Sequence, residues 1–189
     1  MNGTEENIVH TSIRLFKKQG YENTSIADIC REAKITKGTF YYHFANKDDI
    51  TFAYYESLYA NQWESIPDLL TIENAKEQLW MLLEYSIDNT ISLTPAILKA
   101  FMISDIQKGL NFFSPYKTIR SSQKRIQNHT MQINLVKRGQ KNKEIKIGDP
   151  EMMLHTFTSA LIGIAIDWAS NDGCFDEKKE LRKVFDTIF

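Results

Sequence analysis

A chain of 189 residues with 42% apolar content is long enough for one domain or two small ones and apolar enough to fill a core, which excludes intrinsic disorder. A net charge of −1 excludes a nonspecific polycationic coat for nucleic acid, and the two cysteines, Cys30 and Cys174, lie far apart without CxxC spacing, so neither a disulfide framework nor a zinc site is signalled. The start, MNGTEEN, lacks the layout of a secretion signal, and the charge-free stretch Met152–Ile166 is shorter than a membrane span and interrupted by His155, so a soluble, cytoplasmic protein with no membrane association is expected.

No alternating run of strand length survives inspection, and the predicted fold class is all-α, with helices near 5–19, 25–33, 37–44, 47–65, 72–92, 95–108, 115–138, 150–170 and 177–188. Thr94-Pro95, Ser114-Pro115 and Asp149-Pro150 each put a capping oxygen before a proline that fits the first helical position, and so mark helix starts. Gly20, Gly109, Gly139 and Gly173 follow apolar-periodic stretches and mark stops. The chain divides near Asn46, giving a three-helix unit over 1–46 and a larger helical domain over 47–189. Charge divides with it: residues 1–47 hold seven Lys/Arg against five Asp/Glu, or +2, leaving −3 for the remainder. A local basic surface is therefore possible at the front of the chain.

The first helix carries Ile8, Val9, Ile13, Leu15 and Phe16 as an apolar stripe. The second begins after Thr24, a possible cap, with Ser25 and Asp28 in capping-box spacing and Ile26, Ile29 and Cys30 inward. A tight turn follows, and Thr36 caps a third, short helix through the stretch TKGTFYYHF: this is a helix-turn-helix layout. On that third helix Phe40 and Phe44, four residues apart, form the face to be buried. Gly38, Thr39, Tyr41, Tyr42 and His43 form the other. Lys37 sits in the first turn, an unfavourable place for a cation unless an anion lies there. Singly, these are residues that any exposed helix face carries. Together with the tight turn and the phenylalanine pair they point to docking in a DNA groove, where hydroxyls and lysine meet phosphates and first-turn side chains reach base edges.

The run from Ile8 to about Phe52, above all LFKKQGYENTS, IADIC and KGTFYYHFANKDDI, strongly resembles the N-terminal module of the TetR family of bacterial transcriptional regulators. The resemblance assigns Thr24 and Ser25 to phosphate contacts and Thr36, Lys37, Gly38 and Thr39 to the part of the recognition helix that enters the major groove. It makes Tyr41, Tyr42 and His43 a clamp on the DNA backbone and Lys47, opening the fourth helix, a further phosphate contact. Ile35 stands where the family often has valine, and Thr39 where longer residues also occur.

In the larger domain, the fourth helix turns Ile50, Ala53, Tyr54 and Leu58 inward. The eighth, PEMMLHTFTSALIGIAIDWAS, is apolar nearly all round, so one face meets its own domain and another something else, and the ninth places Leu181, Val184, Phe185 and Ile188 at helical spacing. Both helices could be internal core. The resemblance implies instead a two-helix dimer surface carrying Ala160, Gly163, Ile164, Trp168, Leu181, Val184, Phe185 and Ile188. It also implies a small-molecule pocket, for which Trp63, Tyr85, Phe101, Met102, Asp105, Phe112 and Phe113 are candidates, although aromatics and methionines of this kind, Met131 and Tyr116 among them, are more often core.

His10, His43, His129 and His155 show no metal-ligand spacing, and no GxSxG, HExxH or phosphate-binding glycine loop occurs, so no catalytic residue, metal or cofactor is expected. The expected function is a homodimeric repressor that binds a palindromic double-stranded DNA operator and releases it on binding a small, largely apolar effector. A DNA binder without an effector and a helical protein-interaction module are the competing readings.

Overall fold

The computed structural model describes residues 3–61, 71–109 and 123–189, and these form nine helices with no strand among them: α1 (Gly3–Gln19), α2 (Ile26–Ala33), α3 (Lys37–His43), α4 (Lys47–Asn61), α5 (Ala75–Ile91), α6 (Pro95–Lys108), α7 (Gln123–Lys141), α8 (Pro150–Ser170) and α9 (Glu177–Ile188). The start expected at Ser114-Pro115 lies outside the described residues.

Most of the punctuation acts as its chemistry requires. Thr94 caps α6 by accepting the Ile97 N–H, with Pro95 in the first turn, and Asp149 caps α8 by accepting the N–H groups of Glu151 and Met152. Gly109 closes α6 at φ +60°, and Gly20 and Gly173 take φ +92° and +76° after α1 and α8. Gly139 is not a stop. It lies inside α7, where the chain turns back through Lys143 at φ +63° and lays Ile145 against the helix, so that a Cβ at position 139 would stand 2.6 Å from Ile145 Cδ1. Glycine is needed there for close packing, not for a left-handed backbone.

Two apolar clusters hold the helices together. The first begins with Ile8, Val9, Ile13 and Phe16 of α1, takes in Ile29, Phe40 and Phe44, crosses α4 through Ile50 and Tyr55, and continues into Leu98 and Phe101 of α6 and Ala165 and Trp168 of α8. It runs across the division expected at Asn46, with α4 packed on α1 on one side and α6 on the other. The second joins Leu79, Leu83 and Ile87 of α5 to Ile133 and Val136 of α7, Leu154 and Phe157 of α8, and Leu181 and Phe185 of α9. Arg182 fastens α9 to α5 through a paired contact with Glu77 at 2.7 and 2.9 Å while its guanidinium lies 5.0 Å over the Trp80 ring.

By length and composition α8, with 21 residues, could cross a membrane, a test that the core helix of a soluble protein also passes. Leu154 and Phe157 in its first half are buried in the second cluster, and Ala165, Trp168 and Ala169 in its second half in the first.

A candidate nucleic-acid interface

The α3 helix is built to present one face. Thr36 caps it, its Oγ1 accepting the Thr39 N–H at 3.0 Å and lying 2.9 Å from the Thr39 hydroxyl. Phe40 is fully buried and Phe44 nearly so, their ring centroids 6.1 Å apart. The turn before α3 is closed by Lys34 at φ +57°, whose N–H, with that of Ile35, is taken up by carbonyls at the end of α2. Inward aromatics and outward Tyr41 and Tyr42 are therefore locked to opposite sides: Tyr41 is 54% and Tyr42 84% exposed, and neither hydroxyl has a hydrogen-bond partner among the described residues. Tyr42 stands edge-on to His43 at 5.0 Å. Thr36, Lys37 and Gly38 are exposed beside them, and Thr39 and His43 half-buried.

Three expected phosphate contacts stand differently from the rest. Thr24 is 1% exposed and its hydroxyl donates to the Gly20 carbonyl at 2.8 Å, so its side chain braces the α1–α2 turn from inside. Ser25, not Thr24, caps α2. Both its hydroxyl and its backbone N–H donate to Asp28 Oδ2, at 2.5 and 3.0 Å, in a complete capping box. These bonds, together with Arg31, hold the Asp28 carboxyl below its ordinary range. Lys47 donates to the carbonyls of Tyr21 at 2.6 Å and Thr24 at 3.2 Å and lies 4.0 Å over the Tyr21 ring, which leaves one of its three N–H groups for an outside acceptor.

Beneath this surface the first turn of α4 does work that the sequence did not disclose. Tyr21 donates its hydroxyl to Asp48, and burial, reinforced by that carboxylate, pushes the phenol's pKa up, so it remains a neutral donor. Asp49 accepts the Ala45 N–H at 3.1 Å and pairs with Lys108 at 2.6 Å. Acidic residues in a first helical turn are common for dipole reasons alone, and nothing in the run KDD distinguishes these uses.

Of the expected effector residues, the structure describes Tyr85, Phe101, Met102 and Asp105. Phe101 is buried and stacks on Tyr55 and Phe52 at 5.0 and 5.9 Å, Met102 is buried in the same cluster, and Asp105 is buried too. Phe101 and Met102 are core because α4, α6 and α8 close over them. Tyr85 is half-buried with its hydroxyl 3.5 Å from the Leu58 carbonyl, and Trp63, Phe112, Phe113 and Tyr116 lie outside the described residues. A groove of about 440 Å3 runs instead along α7, past Ile126, Thr130, Met131, Asn134, Leu135 and Arg138.

The expected dimer surface splits. Leu181 and Phe185 are buried in the chain's own core, because α9 packs that face onto α5 and α8, and Trp168 of α8 is buried in the first cluster, where α8 packs on α6. Gly163 is exposed with no atom within 4 Å of a Cβ built on it, Ala160, Ile164, Val184 and Ile188 are half-buried, and Met152 and Ile166 of α8 face outward.

A capped helix-turn-helix with an outward tyrosine face, continued by a larger helical half, has the layout of the motif that docks a helix in a DNA groove. Residues 8–54 match the family described as bacterial regulatory proteins, tetR family, over about a quarter of the chain. It is 39% identical to the HTH-type transcriptional regulator YerO of Bacillus subtilis over 82 residues, which is 42% of this chain and 28% of that relative. The chain spans about a quarter of the length of the first curated relatives it matches. Two solved structures share the fold along nearly the whole chain. Thermus thermophilus FadR, a repressor in complex with lauroyl-CoA, has TM-score 0.63 and 20% identity, with 97% of this chain and 92% of that one covered. Bacillus subtilis FadR in complex with stearoyl-CoA has TM-score 0.54 and 19% identity, with 97% and 96% covered.

Proposed function

We propose that this chain acts in the cell interior as a homodimeric, ligand-responsive transcriptional repressor: a module over 1–46 binds a palindromic operator, and the part over 47–189 dimerises and binds the effector. It works by binding, not by catalysis. The observation that carries the reading is the pair Tyr41 and Tyr42 held outward by the buried Phe40 and Phe44. Thr36, Lys37, Gly38 and Thr39 enter the major groove, and Tyr41, Tyr42 and His43 grip the backbone on either side. Ser25 reaches phosphate by exchanging its bond to Asp28, and Lys47 by its remaining N–H.

The effector is small or slender and largely apolar. Support comes from the apolar stretch of the α7 groove and from the acyl thioesters held by the two FadR proteins. A repressor without an effector is the second reading, favoured by the close packing of Phe101 and Met102. Selection of duplexes from a random-sequence pool tests the first claim. A palindrome with half-sites roughly 34 Å apart is expected, and failure to enrich any sequence sinks it. Titrating lauroyl-CoA and stearoyl-CoA against the selected complex then separates the two readings, a 5- to 150-fold loss of DNA affinity being the usual range for such coupling.

A further inference from the structure

The first turn of α4 ties together three other parts of the chain. Lys47 holds the α1–α2 turn by two carbonyls, and Asp48 accepts from Tyr21. Asp49 divides its carboxylate: Oδ2 accepts the N–H of Ala45, the residue after the cap of α3, while Oδ1 lies 2.6 Å from Nζ of Lys108, the last residue of α6. A single side chain thus links the end of α6 to the turn leaving the recognition helix, across 59 positions of sequence.

The chemistry of this link suits a contact that is made and broken. Lys108 sits at the C-terminal end of α6 and Asp49 in the first turn of α4, so each charge already lies at the helix end that favours it and is not stranded when the pair separates. Both side chains are 33% exposed, which keeps the pair weak and sensitive to salt. Tyr21–Asp48, by contrast, is tied to a buried ring and holds its place. A helix shift of about 2 Å at the end of α6 is enough to open the pair.

We propose that Lys108 and Asp49 are positioning residues for operator binding: their ion pair transmits the position of α6 to the α3–α4 turn and so sets the attitude of the recognition helix. The inference rests on the operator-binding reading above and adds the contact by which the larger half acts on it.

The test is a double-mutant cycle of Lys108→Gln and Asp49→Asn in the full chain, with Asn retaining an oxygen for the Ala45 N–H. Affinity is measured for the duplex that the wild-type protein enriches from a random pool and for an unrelated duplex of equal length. Asp49→Asn alone removes a negative charge near DNA and strengthens binding to both, an effect that the cycle cancels. Expected is a coupling of about two- to fivefold on the enriched duplex only, fading as salt rises from about 0.05 to about 0.5 M, with thermal midpoints unchanged. Lys108→Arg should restore wild-type affinity, and in Lys108→Gln the Ala45 amide should exchange with solvent faster. Additive effects on the enriched duplex, or equal coupling on both duplexes, overturn the positioning role while leaving operator binding intact. A wild-type protein that enriches no sequence overturns the operator reading itself, and the positioning role with it.

Discussion

At the scale of single residues, Tyr42 and Glu177 carry opposite kinds of information. Tyr42 is so exposed that its hydroxyl contributes nothing to the fold, and a hydrogen bond to a charged phosphate oxygen is worth about 1.5–3 kcal/mol. Tyr42→Phe should therefore weaken binding to any duplex by roughly tenfold or more with an unchanged thermal midpoint, and gel shift beside a melting curve checks both halves of that statement. Glu177, the first residue of α9, is 1% exposed with neither carboxylate oxygen hydrogen-bonded among the described residues, and burial raises its pKa from the ordinary 4.5 to about 7. The folded state thus holds this proton more tightly than the unfolded chain does. Stability must fall as pH rises from about 5 to about 8, by about 2 kcal/mol, and be fully present below the unfolded value. Glu177→Gln should flatten that slope in melts taken across the range. The tyrosine was legible in sequence because an outward face follows from helical spacing, whereas nothing in DEKKE distinguishes a buried Glu177 from its solvated neighbours.

For individual helices, what was legible was largely a matter of caps. Thr36, Thr94 and Asp149 act locally, each on N–H groups within three residues, and local chemistry survives without knowledge of the fold. Gly139 shows where that reading fails, since the same residue type serves a contact made by a segment that first has to turn back on the helix. Mid-helix Gly→Ala ordinarily stabilises by up to about 1 kcal/mol. Here the new methyl would meet Ile145 Cγ1 at 2.7 Å as well as Cδ1, and overpacking of this kind costs about 1–3 kcal/mol. Gly139→Ala should lower the thermal midpoint, and a rise would show that Ile145 yields freely.

Considered as a whole, the molecule leaves one side of α8 uncovered, with Met152, Gly163 and Ile166 outward, while the expected partners Leu181, Phe185 and Trp168 are spent on the chain's own core. The two groups should respond differently to substitution. A Cβ added at Gly163 meets no atom within 4 Å, so Gly163→Glu should turn dimers into monomers in light scattering without loss of helical content. Leu181→Ala opens a cavity in the second cluster and should cost about 2–5 kcal/mol of stability, seen in chemical denaturation. A wild-type chain that scatters as a monomer at micromolar concentration would remove the dimer from the proposal.

The sequence by itself determined the helices, most of their ends and the outward face of α3, because capping bonds and helical periodicity act within a few residues. Only the tertiary structure decided which apolar faces are covered and by what. Periodicity says that Leu181 and Phe185 share a side of α9 with each other, but whether α5 or a second molecule lies against that side depends on packing between distant segments. The pairing of Lys108 with Asp49 and the burial of Thr24 and Glu177 were decided in the same way: each depends on a neighbour or a covering surface that folding brings from elsewhere in the chain.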